Sequence, residues 1–186
     1  MIRSDVPMLG FCAWGSGVGK TTLLTSLIPV LLLHGLRISV IKHAHHTFDI
    51  DHPGKDSYRL RESGAVQTLL GSRQRWALMT ELSHVEPQRQ EPRLAELLTH
   101  MDTSLADLIL VEGFKQEAIP KIEVYRPSLD HPLLADQDPQ VIAVAADGAA
   151  PTKLPVLDLN DPVAIGEFVV SWLKQQRNIL KIVSTH

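Results

Sequence analysis

Gly15-Ser16-Gly17-Val18-Gly19-Lys20-Thr21-Thr22 stands between a short apolar run and a long leucine-rich one, an arrangement able to bind phosphate. Its three glycines let the backbone wrap so that several N–H groups converge on one anion. A helix opening at the end of the turn adds unpaired amides and a partial positive charge. Lys20 is placed to reach β- and γ-phosphate oxygens, and the Thr21 hydroxyl to ligate Mg²⁺. The pattern G-x-x-x-x-G-K-[ST] is met except at its first position, where Trp14 replaces glycine. The variant with a further lysine ahead of the loop is not met either, because that position is Gly15. The residues predict a nucleotide-phosphate site over Gly15, Ser16, Gly17, Val18, Gly19, Lys20, Thr21 and Thr22; a ligand-free glycine turn is the alternative.

Glu112 closes the apolar run Leu108–Val111. An acid at the end of such a strand, beside the phosphate loop, can hold Mg²⁺ directly or through water. Thr21 and Glu112 are therefore the candidate metal ligands, and Lys20, Asp49 and Glu112 the candidate catalytic groups. Asp107 is set aside because it lies at the opposite end of the same strand. Gly113 would admit the backbone close to a γ-phosphate, and Lys115 would pair with it.

The segment Lys42–His52 carries four histidines and two aspartates in eleven residues. Lys42, His43, His45, His46, Asp49, Asp51 and, further on, Asp56 read as a loop that senses the γ-phosphate and its Mg²⁺. In that reading Asp49 or Asp51 is the ion ligand or water orienter. A plain surface loop and a zinc or nickel site are the alternatives. Adjacent His45 and His46 converge poorly on one metal, and the cluster lacks the i, i+4 spacing of a helical metal pair.

The Asn-Lys-x-Asp signature that reads guanine is absent. Asp147, at the end of the run Val141–Ala145, can still accept hydrogen bonds from guanine N1 and N2. The Asp158–Asp161 segment can supply a second base contact. Adenine offers no such paired donors, so an acid here favours guanine; a turn aspartate beside Gly148 is the alternative. Trp76, Trp172, Phe114 and Phe168 read as core.

These groups need elements to hold them. Met8–Ala13, Ile38–Ile41, Leu108–Val111, Ile122–Tyr125, Val141–Ala145 and Val156–Leu159 read as strands. Val66–Leu70 and Trp76–Thr80 read as neighbouring strands joined by a turn. Helices are predicted over Thr21–His34, with Pro29 inside it, over Ser57–Ser63 with Asp56 or Ser57 as N-cap, and over Leu94–Met101. A final helix follows Asn160 or Asp161, with Pro162 in its first turn. The leucines of the first helix cover more than one face, which predicts deep packing. Ser83–Arg93 reads as a solvated loop and Pro127–Pro139 as an excursion. The expected fold is α/β: a P-loop NTPase-type, mostly parallel sheet with helices on both faces. It forms a single domain over residues 1–177, with 178–186 a frayed tail.

Composition narrows the class. Of the 186 residues 44% are hydrophobic and 21% charged, a globular balance. A formal charge of −3 gives no global positive field for nucleic acid. The one cysteine, Cys12, excludes an internal disulfide and a Cys-based zinc site and fits a reducing compartment. The start Met1–Pro7 is unlike a secretory signal. The most apolar window, Leu23–Leu33, is interrupted and shorter than the roughly 20 residues that span a bilayer. A cytoplasmic protein without membrane association is expected.

The opening GSGVGKTTLL after a strand, IKHAHH followed by PGKDSYRLRESGA, QRWALMTE and DLILVEGFK together resemble the MobB family of molybdopterin-guanine dinucleotide biosynthesis adapter proteins. The resemblance runs from about Met8 to Gln176. It implies a GTP-binding, Mg²⁺-dependent homodimer of molybdenum-cofactor biosynthesis, with weak GTPase activity at most. It also implies partnership with the MobA-type guanylyltransferase that attaches GMP to molybdopterin, and molybdopterin itself as a candidate ligand. By position Ser16–Thr22 would be the phosphate loop, and Lys42, His43, Asp56 and Glu112 fall in the family's other motifs. Residue chemistry alone reaches only a P-loop nucleotide binder. An ATP-dependent small-molecule kinase, with an acceptor site lined by His45, Asp49 and Arg59, and a metallochaperone-type GTPase using the histidine loop stay open beside it. No arginine finger or water-orienting glutamine can be assigned, which predicts slow turnover. Trp76–Leu82 and Ile122–Tyr125 are candidate edges for dimer pairing.

Overall fold

Burial of β1 (Met8–Cys12) and β5 (Leu108–Glu112) is complete, every residue of both strands being buried, as their unbroken apolar runs require of central parallel strands. The computed structural model describes residues 4–44, 48–86, 88 and 91–183. Two compact units divide the chain: Met1–His43 with Arg93–His186, and Ala44–Pro92.

The larger unit is a six-stranded sheet in which every neighbouring pair is parallel. Besides β1 and β5 it contains β2 (Ile38–Lys42), β6 (Lys121–Tyr125), β7 (Val141–Ala146) and β8 (Val156–Asp158), in the order β2-β5-β1-β6-β7-β8. Here β3 and β4 denote two strands of the smaller unit, described below. Because β1 lies between β5 and β6, the strand order reverses there, and a ligand crevice belongs at its carboxyl end. Register decides what gathers at that edge. Glu112 pairs with Phe11 on one side and Lys42 on the other. Tyr125 pairs with Ala146, and Ala146 with Asp158, so the residues that follow these strands emerge side by side.

Period-two alternation splits each central strand between two cores. Leu108 and Leu110 join Leu9, Phe11 and Ile122 beneath α1 (Lys20–Leu33) and the last helix, α5 (Pro162–Val183). Ile109 and Val111 face Leu94 of α4 (Leu94–Thr99), and Leu133 covers Val144 and Ala146. Both faces of the sheet are thus covered, as the expected fold requires. A Cβ added at Gly166 would come 2.6 Å from Val30 Cγ1, so the glycine lets α5 lie tight on α1. Of the two possible caps for α5 it is Asp161 that acts, its Oδ1 accepting from the N–H groups of Val163 and Ala164 at 3.0 Å each.

The smaller unit holds α2 (Asp56–Glu62), the antiparallel pair β3 (Gln67–Gly71) and β4 (Trp76–Thr80), and α3 (Leu82–Val85). Ser72 closes the hairpin, its N–H and Oγ both donating to the Arg75 carbonyl. Among the described residues no helix is long and apolar enough to cross a membrane.

Several expectations need correction. Trp76 is 68% exposed, not core, because a two-stranded ribbon has too little opposing surface to cover a tryptophan. The first helix buries one face only: Leu23, Leu24, Leu27 and Leu31 are buried, while Leu33 is 89% exposed. The cap of α2 is Lys55, which makes no side-chain capping bond. Asp56 instead lies in the first turn, where its charge suits the helix end. The loop expected from Ser83 begins within α3. Ile122–Tyr125 is an interior strand paired on both sides and offers no edge. The final helix continues to Val183, past the tail predicted from Asn178, since no glycine or proline stops it before there.

Candidate functional site

The loop after β1 turns through two left-handed glycines, Gly17 (φ 75°) and Gly19 (φ 112°), the second serving as N-cap of α1. Only glycine takes these conformations without strain. Lys20 opens the helix and donates from Nζ to the Gly15 carbonyl at 2.8 Å, within its own loop. Burial pushes the Lys20 ammonium below its usual pKa; Glu112 opposes the shift, and Lys42 and Lys115 add to it. Trp14 does not close the loop. Its ring lies 6.2 Å from that of His131, and Lys115 sits 5.8 Å from its centroid while donating to the Trp14 carbonyl at 3.2 Å.

Beside the loop, three groups form a tight triangle. Thr21 Oγ1 donates to Glu112 Oε1 at 2.6 Å. Lys42 Nζ lies 3.0 Å from Thr21 Oγ1 and 3.1 Å from Glu112 Oε1. Glu112 is 8% exposed. Two hard oxygens at one point, one anionic, are the donor set Mg²⁺ prefers, and the Lys42 ammonium lies beside both. Thr21 and Glu112 would hold the metal, which would supply charge neutralisation to a bound phosphate chain.

The turn after Glu112 is sharp. Gly113 has φ 90° and Phe114 φ 50°, and an added Cβ at Gly113 would lie 2.9 Å from His43 Cβ. The His43 ring stacks on Phe114 at 4.7 Å, and the His43 backbone N–H donates to the Glu112 carbonyl at 2.9 Å. His43 thus packs the turn that carries Glu112.

Farther along the same edge, Arg126 donates from Nε to the Val18 carbonyl at 2.8 Å and from Nη1 to Asp147. A cleft of about 200 Å³ opens next to it, lined by Gly19, Thr22, Leu23, Ser26, Arg126, Leu159, Asn160 and Pro162. Asp158 and Asp161 each accept from backbone N–H groups through Oδ1, and Asn160 between them lines the cleft.

Asp49 and Asp51 are engaged elsewhere. In the smaller unit both pair with Arg61 Nη2, at 2.9 and 3.2 Å, and Glu81 meets its Nη1 at 3.3 Å. Arg61 also lies over the Tyr58 ring. Both aspartates thus face a buried guanidinium. Among the described residues Asp56 makes a long contact with Arg59, at 4.0 Å. His45 and His46 lie outside the described residues, and among the described residues no group of three His, Cys, Asp or Glu side chains could hold a metal.

Sequence reasoning missed Arg126, although it follows a strand that ends at the site edge, which was a usable signal. It also missed two buried charges. Lys121 is 1% exposed and donates to the Lys115 and Glu117 carbonyls while pairing with Asp138 at 2.7 Å. Glu123 accepts from the N–H groups of Leu134 and Ala135, and burial raises its pKa. Together they pin the loops flanking the site. Cys12 is buried and its thiol pushed up to about 12, so it is inert as a nucleophile.

Residues 8–147 match the family described as molybdopterin guanine dinucleotide synthesis protein B. The chain is 51% identical over 175 residues to the molybdopterin-guanine dinucleotide biosynthesis adapter protein of Escherichia coli K12, covering 94% of this chain and 97% of the relative. It is 42% identical over 172 residues to the Haemophilus influenzae adapter protein of the same name, covering 92% of each. Among solved structures, Bacillus subtilis MobB superposes with a TM-score of 0.65 at 24% identity, over 89% of this chain and 96% of that one. A MobB homologue from Bacillus stearothermophilus does so with a TM-score of 0.62 at 23% identity, over 90% and 98%. At such identities the structures establish the fold.

Proposed function

This chain belongs to the molybdopterin guanine dinucleotide synthesis protein B family, and we propose that it is a GTP-binding adapter of molybdenum-cofactor biosynthesis. Its partner in this reading is a MobA-type guanylyltransferase in the cytoplasm. The observation that carries the reading is the convergence of Lys20, Thr21 and Glu112 at the carboxyl ends of adjoining strands, with Asp147 along the same edge. Lys20 leaves the Gly15 carbonyl for the phosphate chain, Thr21 and Glu112 hold Mg²⁺, and Asp147 reads guanine. Molybdopterin is the candidate cargo of the complex.

Hydrolysis is slow, below about 1 s⁻¹, because Glu112 is committed to Thr21 and the metal and does not orient water. The β3–β4 ribbon supports a homodimer. Leu69, Leu78 and Trp76 share one of its faces and are exposed, a surface that face-to-face packing of a second copy would cover.

The test is calorimetric titration of GTP and ATP, each with Mg²⁺, into wild type and Lys20→Ala, followed by sedimentation with the transferase. GTP binding that falls about 10- to 100-fold in the variant, the worth of a charge-assisted bond, with a complex at micromolar protein, supports the adapter. ATP bound as tightly as GTP would favour a kinase instead. No complex with or without GTP would remove the adapter role.

A further inference from the structure

Lys42 supplies a counter-charge to the buried Glu112 and stands where a metal would bind. Its side chain is 51% exposed while its ammonium lies within 3.1 Å of both Thr21 Oγ1 and Glu112 Oε1. The backbone of Lys42 is fixed by pairing with Glu112 across β2 and β5. A four-carbon stem on a fixed backbone can redirect its ammonium by rotamer change alone.

We propose that Lys42 is a displaceable counter-ion: it competes with Mg²⁺ for Thr21 and Glu112, and when the metal takes those oxygens it turns to the terminal phosphate of the nucleotide. This rests on reading the site as one for a magnesium–nucleotide complex. An ammonium and a dication cannot share the same two oxygens, since both require the same acidic oxygen and repel each other. The displaced charge is then left among cations, because Lys20 and Lys115 bond to carbonyls of the same phosphate loop. The anion that arrives with the metal is the phosphate chain, and its terminal group carries the most charge. A nucleoside diphosphate brings the metal but not that group, so it ejects Lys42 without offering it a partner. Lys42 thereby makes the site discriminate tri- from diphosphate.

The test compares wild type with Lys42→Met, which keeps an unbranched chain of similar length, and Lys42→Gln, which is shorter and polar; both remove the charge. Mn²⁺ alone, followed by the loss of its free electron-paramagnetic signal, should bind each variant about tenfold more tightly than wild type. The gain should vanish in a Glu112→Gln background. Calorimetry in Mg²⁺ should show GDP strengthened and GTP little changed, the relieved competition offsetting the lost bond, so that the GTP-to-GDP affinity ratio drops about tenfold, as for loss of one charge-assisted bond. Equal or undetectable Mn²⁺ binding in variants and wild type overturns the competition. GTP and GDP weakened alike make Lys42 a fixed strut and overturn the discrimination. If wild type binds neither nucleotide, the reading of the site as a nucleotide site fails, while the Mn²⁺ arm still decides the competition.

Discussion

Arg126 and Asp147 are joined through the arginine Nη1, while Nε of the same guanidinium holds the Val18 carbonyl. One side chain thereby ties the acid proposed to read the base to the loop proposed to bind phosphate. The tie depends on β6 and β7 being neighbours, with Tyr125 opposite Ala146, so that the next residue of each strand emerges beside the other.

That arrangement makes base choice testable. Asp147→Asn exchanges an acceptor for a donor, which matches the 2-oxo group of xanthine better than the 2-amino group of guanine. GTP affinity should fall at least about tenfold, the scale of an unpaired polar contact, and XTP affinity should rise. Calorimetry with both nucleotides checks it. Loss of GTP binding without any gain for XTP would reduce Asp147 to an anchor for Arg126.

Gly113 stands at φ 90° with His43 Cβ 2.9 Å from where its own Cβ would be. Gly113→Ala should destabilise the fold by about 1–3 kcal/mol, the usual cost of a residue held in a sparsely populated conformation. It should also shift Glu112, since the turn begins there. Urea unfolding reads the first effect, and weakened Mg²⁺-dependent nucleotide binding the second. A variant as stable as wild type would contradict the strain.

Arg61 gathers Asp49, Asp51 and Glu81 within 3.3 Å, and Asp51 is 7% exposed. Arg61→Ala should leave Asp51 buried beside Asp49 without its counter-charge, an outcome more harmful than losing the pair as a whole. Amide exchange in residues 48–86 should accelerate and melting should fall by several degrees. An Arg61→Met, Asp51→Leu double variant should recover part of the loss. Unchanged exchange in the single variant would show that the cluster is not holding its unit together.

Acid sensitivity should localise at the other end of the sheet. The Arg37 guanidinium beside Asp107 holds its carboxyl at about 2, below the ordinary 3.8. A depressed carboxylate contributes stability that is present above its unfolded pKa and lost as pH falls through its folded pKa. The urea midpoint of wild type should therefore exceed that of Asp107→Asn above pH 3.8 and converge with it toward pH 2. A gap constant over that window would contradict the assignment.

The phosphate loop could be read from the chain because its parts are consecutive: strand, glycine turn, lysine and helix interact within one stretch, and local chemistry suffices. Glu112 was legible for a similar reason, as the polar residue that ends an apolar run. Asp147 was legible as a position, but its partner Arg126 was not, because nothing local says that β6 and β7 are adjacent. Asp49 and Asp51 sit near the right strand in sequence and yet pair with Arg61, twelve and ten residues on. Trp76 reads as core by its type and is exposed by its place in a two-stranded ribbon.

What the amino-acid sequence determined by itself, then, was the alternation of strands and helices and the chemistry of each contiguous motif, since hydrophobic period and glycine geometry act over a few residues. The tertiary structure alone decided which charges meet. Thr21 and Glu112 are 91 residues apart and 2.6 Å from each other, and Lys42 reaches both only because β2 and β1 flank β5. Strand order and register are settled by the packing of the whole sheet between its helices, and electrostatic contacts follow from that packing.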